Sequence, residues 1–419
     1  MRKVVKRLDT TSNEVSLARC SAPGMRAILK KNVPKTEYKK LRALHFKGVK
    51  YRPSPFNSEK LKFHVCDPAM PFCLAHDFFE GIVKLVLAKI LAYFIDKKKW
   101  FSLKTLNRRI ISFKCKGSDA KDAPTRLKST KKLSGNACEN WNFLRLLPLI
   151  IGDLIQDTED PMWQLFLSLK EVCEYVCAPS IAVEQTAYLK VLYQAFLVQL
   201  QKLLPECLIP KAHFGAHYAD LILRFGPLIR LFTLRFESKH VFFKRVADAC
   251  NNFINITKTL AHKYMYRFAY DNTSEILPDD LEYDTSKSLN LNLETLPEEM
   301  IASLPEDLNY EDFETIPKVI FHSVAYQIGD IMILDKADNA LDLKIGKIAV
   351  ICVDQSRVHF ILQEIIAVNS LNGFYTLDQK VSGYSIKELE MLPDYYPLPV
   401  YIHENRECIV LKHSNPTMN

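Results

Sequence analysis

Cys73 and His76 stand three residues apart, a spacing at which a thiolate and an imidazole can ligate one metal ion. Two ligands do not complete a four-ligand site, and no second pair lies at matching separation, so structural packing is the competing reading. His213 and His217 also have the i, i+4 spacing of helical metal ligands. No intervening glutamate completes a His-Glu-x-x-His motif, and core hydrogen bonding near a helix start is the plainer account. Glu237 lies between Arg235 and the cations Lys239, His240, Lys244 and Arg245. A helix there presents one carboxylate beside a row of phosphate-seeking side chains, although a surface ion-pair ladder has the same composition. Asp77 and Glu80, at i and i+3, either share a working helix face or are acids favoured by the dipole at a helix N-terminus. The run Lys97, Lys98, Lys99, Trp100, with Arg108 and Arg109 beyond it, interleaves cations with Trp100, Phe101 and Phe113. That texture suits a DNA backbone or an unpaired base, and a solvated loop with buried aromatics reads alike. Lys211 and Arg235 join these as candidate DNA contacts.

The elements that must position these groups are mostly helical. Apolar spacing gives helices over 78–93, 100–113, 135–147, 162–177, 182–203, 213–225 and 238–262. Prolines at 148, 161, 179, 205, 210 and 227 fall between these segments, where they end helices without breaking them. Residues 1–60 mix basic residues with Pro, Ser, Thr and Asn and read as a basic N-terminal arm; 61–270 form the helical domain. Residues 271–318 are acidic and poor in apolar positions, the composition of a linker. Beyond it, over 319–413, short β-rich runs at 330–334, 347–353, 358–367, 373–377 and 407–412 suggest a small SH3-like or Tudor-like β-barrel. The fold class is therefore mainly α, followed by an acidic linker and a small barrel.

A chain of 419 residues, 48% hydrophobic and 25% charged, can bury a sizeable core and excludes a disordered protein. No stretch has the roughly 18 uninterrupted apolar residues of a membrane span, and the basic N-terminus runs into polar residues, so an intracellular protein without membrane contact is expected. Eleven cysteines without a Cys-x-x-Cys pair argue against a disulfide framework and a zinc ribbon. The net charge of +8 is unevenly spread. Residues 1–65 carry about +13, 96–132 about +10 and 271–318 about −12, an asymmetry that points to a polyanionic partner.

Three segments resemble the transposase superfamily that includes the CACTA, Mirage and Chapaev elements. The first is Phe63-His64-Val65 followed by residues 71–81, Pro-Phe-Cys-Leu-Ala-His-Asp-Phe-Phe-Glu-Gly. The second joins Leu133-Ser134-Gly135 to residues 142–150, and the third runs from Pro210 to Arg245 through Arg-Phe-Glu-Ser-Lys-His. Together they span about residues 50–270, and their order and spacing carry the likeness more than any one motif. The resemblance implies an RNase H-like fold in which two aspartates and a later glutamate hold two Mg2+ or Mn2+ ions for phosphodiester transfer. It makes Cys73 and His76, with Asp77 and Glu80 in the same block, the family signature. It makes 78 to about 203 the helical insertion and Glu237 the remnant third catalytic acid.

In that superfamily the first two aspartates precede the Cys-x-x-His signature. Here the upstream acids are Asp9, Glu14, Glu37, Glu59 and Asp67, none in an apolar strand-like run. A lone Glu237 cannot hold two divalent ions, so no cofactor and no strand transfer are expected of this chain. The resulting expectation is a transposon-derived, nuclear, DNA-binding protein without catalysis. An alternative is a protein-interaction or chromatin-associated module, in which the barrel docks a partner through an aromatic cage drawn from Tyr375, Tyr384, Tyr395 and Tyr396. A further alternative is a truncated gene model of an active metal-dependent transposase.

Overall fold

A computed structural model describes residues 71–251, 254–273, 281–283, 297–302, 314–337, 341–354 and 357–414. The basic arm over 1–60 lies outside the described residues.

The helical part is organised around α1, a continuous run through Leu74–Val83, Lys84–Ala92 and Tyr93–Lys97, whose first and last pieces are wound as π-helix. It starts one turn before the expected Phe78 because the Asp77 carboxylate accepts the Cys73 backbone N–H at 3.2 Å and satisfies an orphan donor there. Phe78, Phe79, Ile82, Val86, Ile90 and Phe94 are all fully buried, so α1 forms the centre of the principal core. Around it follow α2 (Leu103–Ser112), α3 (Ala137–Ile151), α4 (Pro161–Val176) and α5 (Val183–Leu203). The capping box of Asn136 and Glu139 fixes where α3 begins. Pro148 does not lie between helices as expected; α3 runs through it to Ile151. The ring removes one backbone hydrogen bond, and burial of Leu149, Ile150 and Ile151 beyond it offsets that loss.

The segment expected as one helix over 213–225 divides into α6 (Pro210–Phe214), a tight turn at Gly215–His217 and α7 (Tyr218–Phe225). The helix expected over 238–262 divides into α8 (Leu234–Cys250) and α9 (Ile256–Thr273). Asn251 adopts a left-handed conformation (φ 47°) that asparagine tolerates and that ends α8. The two form a hairpin, and α9 buries none of its residues.

Mainly α is corrected to a mixed α and β protein. The C-terminal part is antiparallel, and its first strand, β1 (Leu281–Tyr283), falls in the acidic stretch, as do the short helix α10 (Glu298–Ile301) and β2 (Glu314–Ile316). A three-stranded sheet is ordered β1–β3–β4, with β3 at Lys318–Phe321 and β4 at Val324–Gln327. The larger sheet comprises β5 (Ile331–Lys336), β6 (Leu343–Asp354), β7 (Arg357–Asn369), β8 (Tyr375–Glu388), β9 (Tyr401–His403) and β10 (Arg406–Ile409), together with β2. Its order is β2–β6–β7–β8–β10–β9, with β5 also pairing β6.

No closed barrel forms among the described residues, contrary to the expected SH3-like or Tudor-like closure. The β9 edge, which would have to pair back towards β2, instead meets the helical body. Tyr401 stacks on Phe113 at 5.2 Å and its hydroxyl donates to Asp119 at 2.9 Å.

That junction is a buried polar network. Arg145 of α3 is 1% exposed and donates to Asp119 (3.0 Å), Asn142 (2.8 Å) and the backbone carbonyls of Leu411 (2.9 Å) and Val410 (3.3 Å). Burial would raise the Asp119 carboxyl, but Arg145 and Lys412 more than reverse this and hold it below its ordinary value. Lys412, itself buried, is pushed down to about 8, burial outweighing Asp119, Asp394 and Asp330. The helical body and the strands thus share one satisfied ionic core instead of meeting only through a linker.

Candidate functional site

Two helix N-termini meet at the site. Cys73 precedes the first turn of α1, and Thr233 precedes the first turn of α8. One turn along each helix stand His76 and Glu237, so the four side chains come from two i, i+3 or i, i+4 pairs that face each other. Cys73 Sγ lies 3.3 Å from His76 Nδ1 and 2.7 Å from Thr233 Oγ1, and Thr233 Oγ1 is 3.5 Å from the same imidazole nitrogen. On the far side of the ring, His76 Nε2 is 3.3 Å from Glu237 Oε1. A chain of thiol, imidazole and carboxylate results, closed across 160 residues between Cys73 and Thr233. Solvent reaches it: the His76 and Glu237 side chains are 44% and 50% exposed, and Cys73 is half-buried.

The electrostatics follow from those contacts. Burial would raise the Cys73 thiol, but hydrogen bonds with Thr233 and His76 outweigh it, and the thiol sits below its ordinary value. His76 is raised, first by its hydrogen bond to Cys73, against some burial, and further by the charges of Cys73, Glu237 and Glu80. Both shifts favour a thiolate beside an imidazolium. Asp77 is raised by burial in spite of Lys211.

Compared with known proteins, the chain matches no family model, no curated protein and no solved structure. What the site can do therefore rests on its own geometry.

The other candidate residues divide sharply. Lys211 is drawn into the site's scaffold: its ammonium donates to the His76 carbonyl at 2.6 Å and sits 4.0 Å from Asp77. Glu80 is exposed on α1, near enough for its charge to act on His76. Lys98 pairs with buried Asp160 at 2.8 Å and lies over the rings of Tyr93 and Trp100. Lys97 covers Tyr93, and Lys99 is exposed in a left-handed conformation. Arg109 is forked onto Asp153 and the Ile150 carbonyl, whereas Arg108 is exposed. Trp100 stacks on Phe94 at 5.0 Å, and Phe101 is buried. Within the basic and aromatic run, Lys98 and Arg109 are thus engaged by acids of the fold, whereas Lys97, Lys99 and Arg108 stand exposed. The side chain of Arg235 lies outside the described residues.

Lys239, His240, Lys244 and Arg245 all stand exposed on α8. Lys239 donates to the Tyr264 hydroxyl at 2.9 Å across the hairpin, and Arg267 lies over Phe242 at 5.1 Å. A cleft of about 340 Å³ opens between the two helices, lined by Lys239, Phe242, Tyr264, Arg267 and Phe268 among others.

His213 and His217 face each other with Nε2 atoms 3.1 Å apart. Burial, then the neighbouring His217, lowers His213 to about 4, and burial lowers His217, so both rings are neutral at pH 7. Among the described residues no three His, Cys, Asp or Glu side chains gather as a metal site. Of the four tyrosines considered for an aromatic cage, Tyr395 and Tyr396 are in contact, with ring centroids 6.1 Å apart. Tyr375 and Tyr384 pack against two other hydrophobic clusters.

Thr233 escaped sequence reasoning. Its signal was available: it stands four residues before Glu237, hence on the same face of a helix that starts between them.

Proposed function

We propose that this chain is a transposon-derived protein whose helical part corresponds to the C-terminal portion of a CACTA, Mirage or Chapaev-type DNA transposase, and that it binds DNA in the nucleus without catalysing strand transfer. The observation that carries the reading is the contact of His76 with Glu237 at 3.3 Å. The resemblance places a Cys-x-x-His signature and a late glutamate on either side of a helical insertion. Here α1 to α7 lie between them in sequence, and the ends meet.

DNA contact is assigned to the α8–α9 hairpin. Over residues 234–273 seven lysines and arginines stand against three acids, a net +4, and Tyr266, Phe268 and Tyr270 are 69%, 55% and 67% exposed. Cations interleaved with accessible rings suit a phosphate backbone and its unpaired bases.

The test is filter retention of a DNA duplex and of a single strand by the full chain at about 50 to 200 mM KCl. The reading expects retention that falls linearly in log affinity against log salt, with no strand transfer in Mg2+ or Mn2+. Absence of retention at the low-salt end overturns DNA binding, and strand transfer overturns the loss of catalysis.

A further inference from the structure

The thiol at the head of the chain of contacts has all the surroundings of an activated nucleophile. Cys73 is flanked by a base at 3.3 Å and a hydroxyl at 2.7 Å. The base is oriented from its far nitrogen by a carboxylate at 3.3 Å, the third group that fixes an imidazole's tautomer and direction. The sulfur also stands at the N-terminus of α1, where the helix dipole favours negative charge. Glu80 and Asp77 on α1, Lys211 on α6 and Glu237 on α8 are the charged groups facing this corner.

Six other described cysteines supply the contrast. Cys115, Cys138, Cys177, Cys207, Cys352 and Cys408 are all pushed up by burial, Cys115 to about 11 and Cys207 and Cys352 to about 12. Cys115 and Cys138 are half-buried like Cys73. Exposure alone therefore does not distinguish Cys73; its neighbours do.

We infer that Cys73 is a nucleophilic thiolate and a covalent modification site for hydroperoxides, with His76 as proton donor and Thr233 and Glu237 as positioning residues. The thiolate sulfur attacks one peroxide oxygen, and the O–O bond breaks as the S–O bond forms. The departing alkoxide, or hydroxide where the oxidant is hydrogen peroxide, takes the proton of the His76 imidazolium and leaves as an alcohol or water. Sulfur is oxidised by two electrons to a sulfenic acid, the peroxide is reduced, and the imidazole ends neutral. The inference uses side chains of the proposed ancestral site but needs neither DNA nor a metal ion, so it goes beyond that reading and stands apart from it.

The test treats the reduced full chain with hydrogen peroxide in the presence of dimedone and scores each cysteine peptide by mass spectrometry. The dimedone adduct is expected on Cys73 at least about tenfold faster than on Cys115 or Cys138 of the same molecule. His76→Gln is expected to bring Cys73 down to the rate of those two controls, and Thr233→Val to lower it in part, while the controls keep their own rates. Labelling of Cys73 no faster than Cys115 and Cys138 in the unaltered protein overturns the inference without any variant having to fold. Unchanged selectivity in His76→Gln overturns the role of the imidazole. Failure of DNA retention leaves this result untouched, and the reverse also holds, so the two readings fail separately.

Discussion

Replacing Arg145 by methionine isolates what the buried junction contributes. The guanidinium gives up hydrogen bonds to Asp119, Asn142, Val410 and Leu411, and methionine refills much of the volume without a donor. Removing one partner of a buried ion pair costs about 3 to 5 kcal/mol, because a charge is left uncompensated. Asp119 keeps the Tyr401 hydroxyl at 2.9 Å and the field of Lys412, which places the expected cost near the lower end, about 3 kcal/mol. Urea unfolding followed by tryptophan fluorescence reads this, since Trp163 is 1% exposed and stacked on Phe166 at 4.7 Å. At a slope of about 3 kcal/mol per molar the midpoint falls by about 1 M. In the double variant Asp119→Leu with Arg145→Met, no orphaned carboxylate remains, so its cost is expected to fall short of the sum of the single costs by more than about 1 kcal/mol. A loss under about 1 kcal/mol for Arg145→Met, or strict additivity in the pair, refutes the reasoning. The pH dependence has a definite sign. Asp119 is lower in the folded chain than in the unfolded one, so its contribution is complete above the ordinary carboxylate value and is lost as pH falls through the folded one.

Three further outcomes are expected. Lys244→Ala with Arg245→Ala weakens DNA retention and reduces the log–log salt slope by about 2 if both contact phosphate; an unchanged slope removes the hairpin from the interface. Asn136→Ala removes the cap that accepts the Glu139 N–H at 3.0 Å and lowers the unfolding free energy by about 1 kcal/mol, measured by the same urea titration. Gly215→Ala would set a Cβ 2.0 Å from Tyr193 Cζ, and Tyr193 is buried with its hydroxyl on the Ala212 carbonyl, so a loss of about 1 to 3 kcal/mol is expected. A neutral Gly215→Ala would show that α6 and α7 shift freely against α5.

The helices were legible because their apolar spacing is a local property. The starts of α4 and α5 fall within a residue of expectation, where Pro161 opens α4 and the capping interaction of Gln185 opens α5. Breaks decided by single residues were not legible: Asn251 divides a segment with continuous helical spacing, and Pro148 is carried through a helix whose far end is buried. In the sheet, β5, β6, β7 and β10 overlap expected β-rich runs, and β8 does so only over its first three residues, whereas β1 to β4 are only three or four residues long. Two of those lie wholly in an acidic stretch whose composition hides them. Barrel closure depends on where β9 goes, and its Tyr401 contacts Phe113 and Asp119, nearly 300 residues earlier. At the site, Cys73, His76 and Glu237 were each visible as residue types. Their meeting was not legible, because a contact across 160 residues leaves no local pattern, and Thr233 carried only its spacing to Glu237 as a signal.

The two ionic clusters differ in what keeps them in place. Arg145 and Asp119 are buried and compensate each other's charge, so stability alone accounts for their geometry. His76 and Glu237 are about half exposed, and a contact of that kind adds little to stability. An apolar residue of the size of Cys73 would also pack at a helix start. Thiol, hydroxyl, imidazole and carboxylate nonetheless stand in sequence within hydrogen-bonding distance, on two helix ends whose dipoles both favour an anion. Folding energetics account for the first cluster more fully than for the second. The measurement that separates a purpose from an accident is the reactivity of one sulfur relative to its equally exposed counterparts.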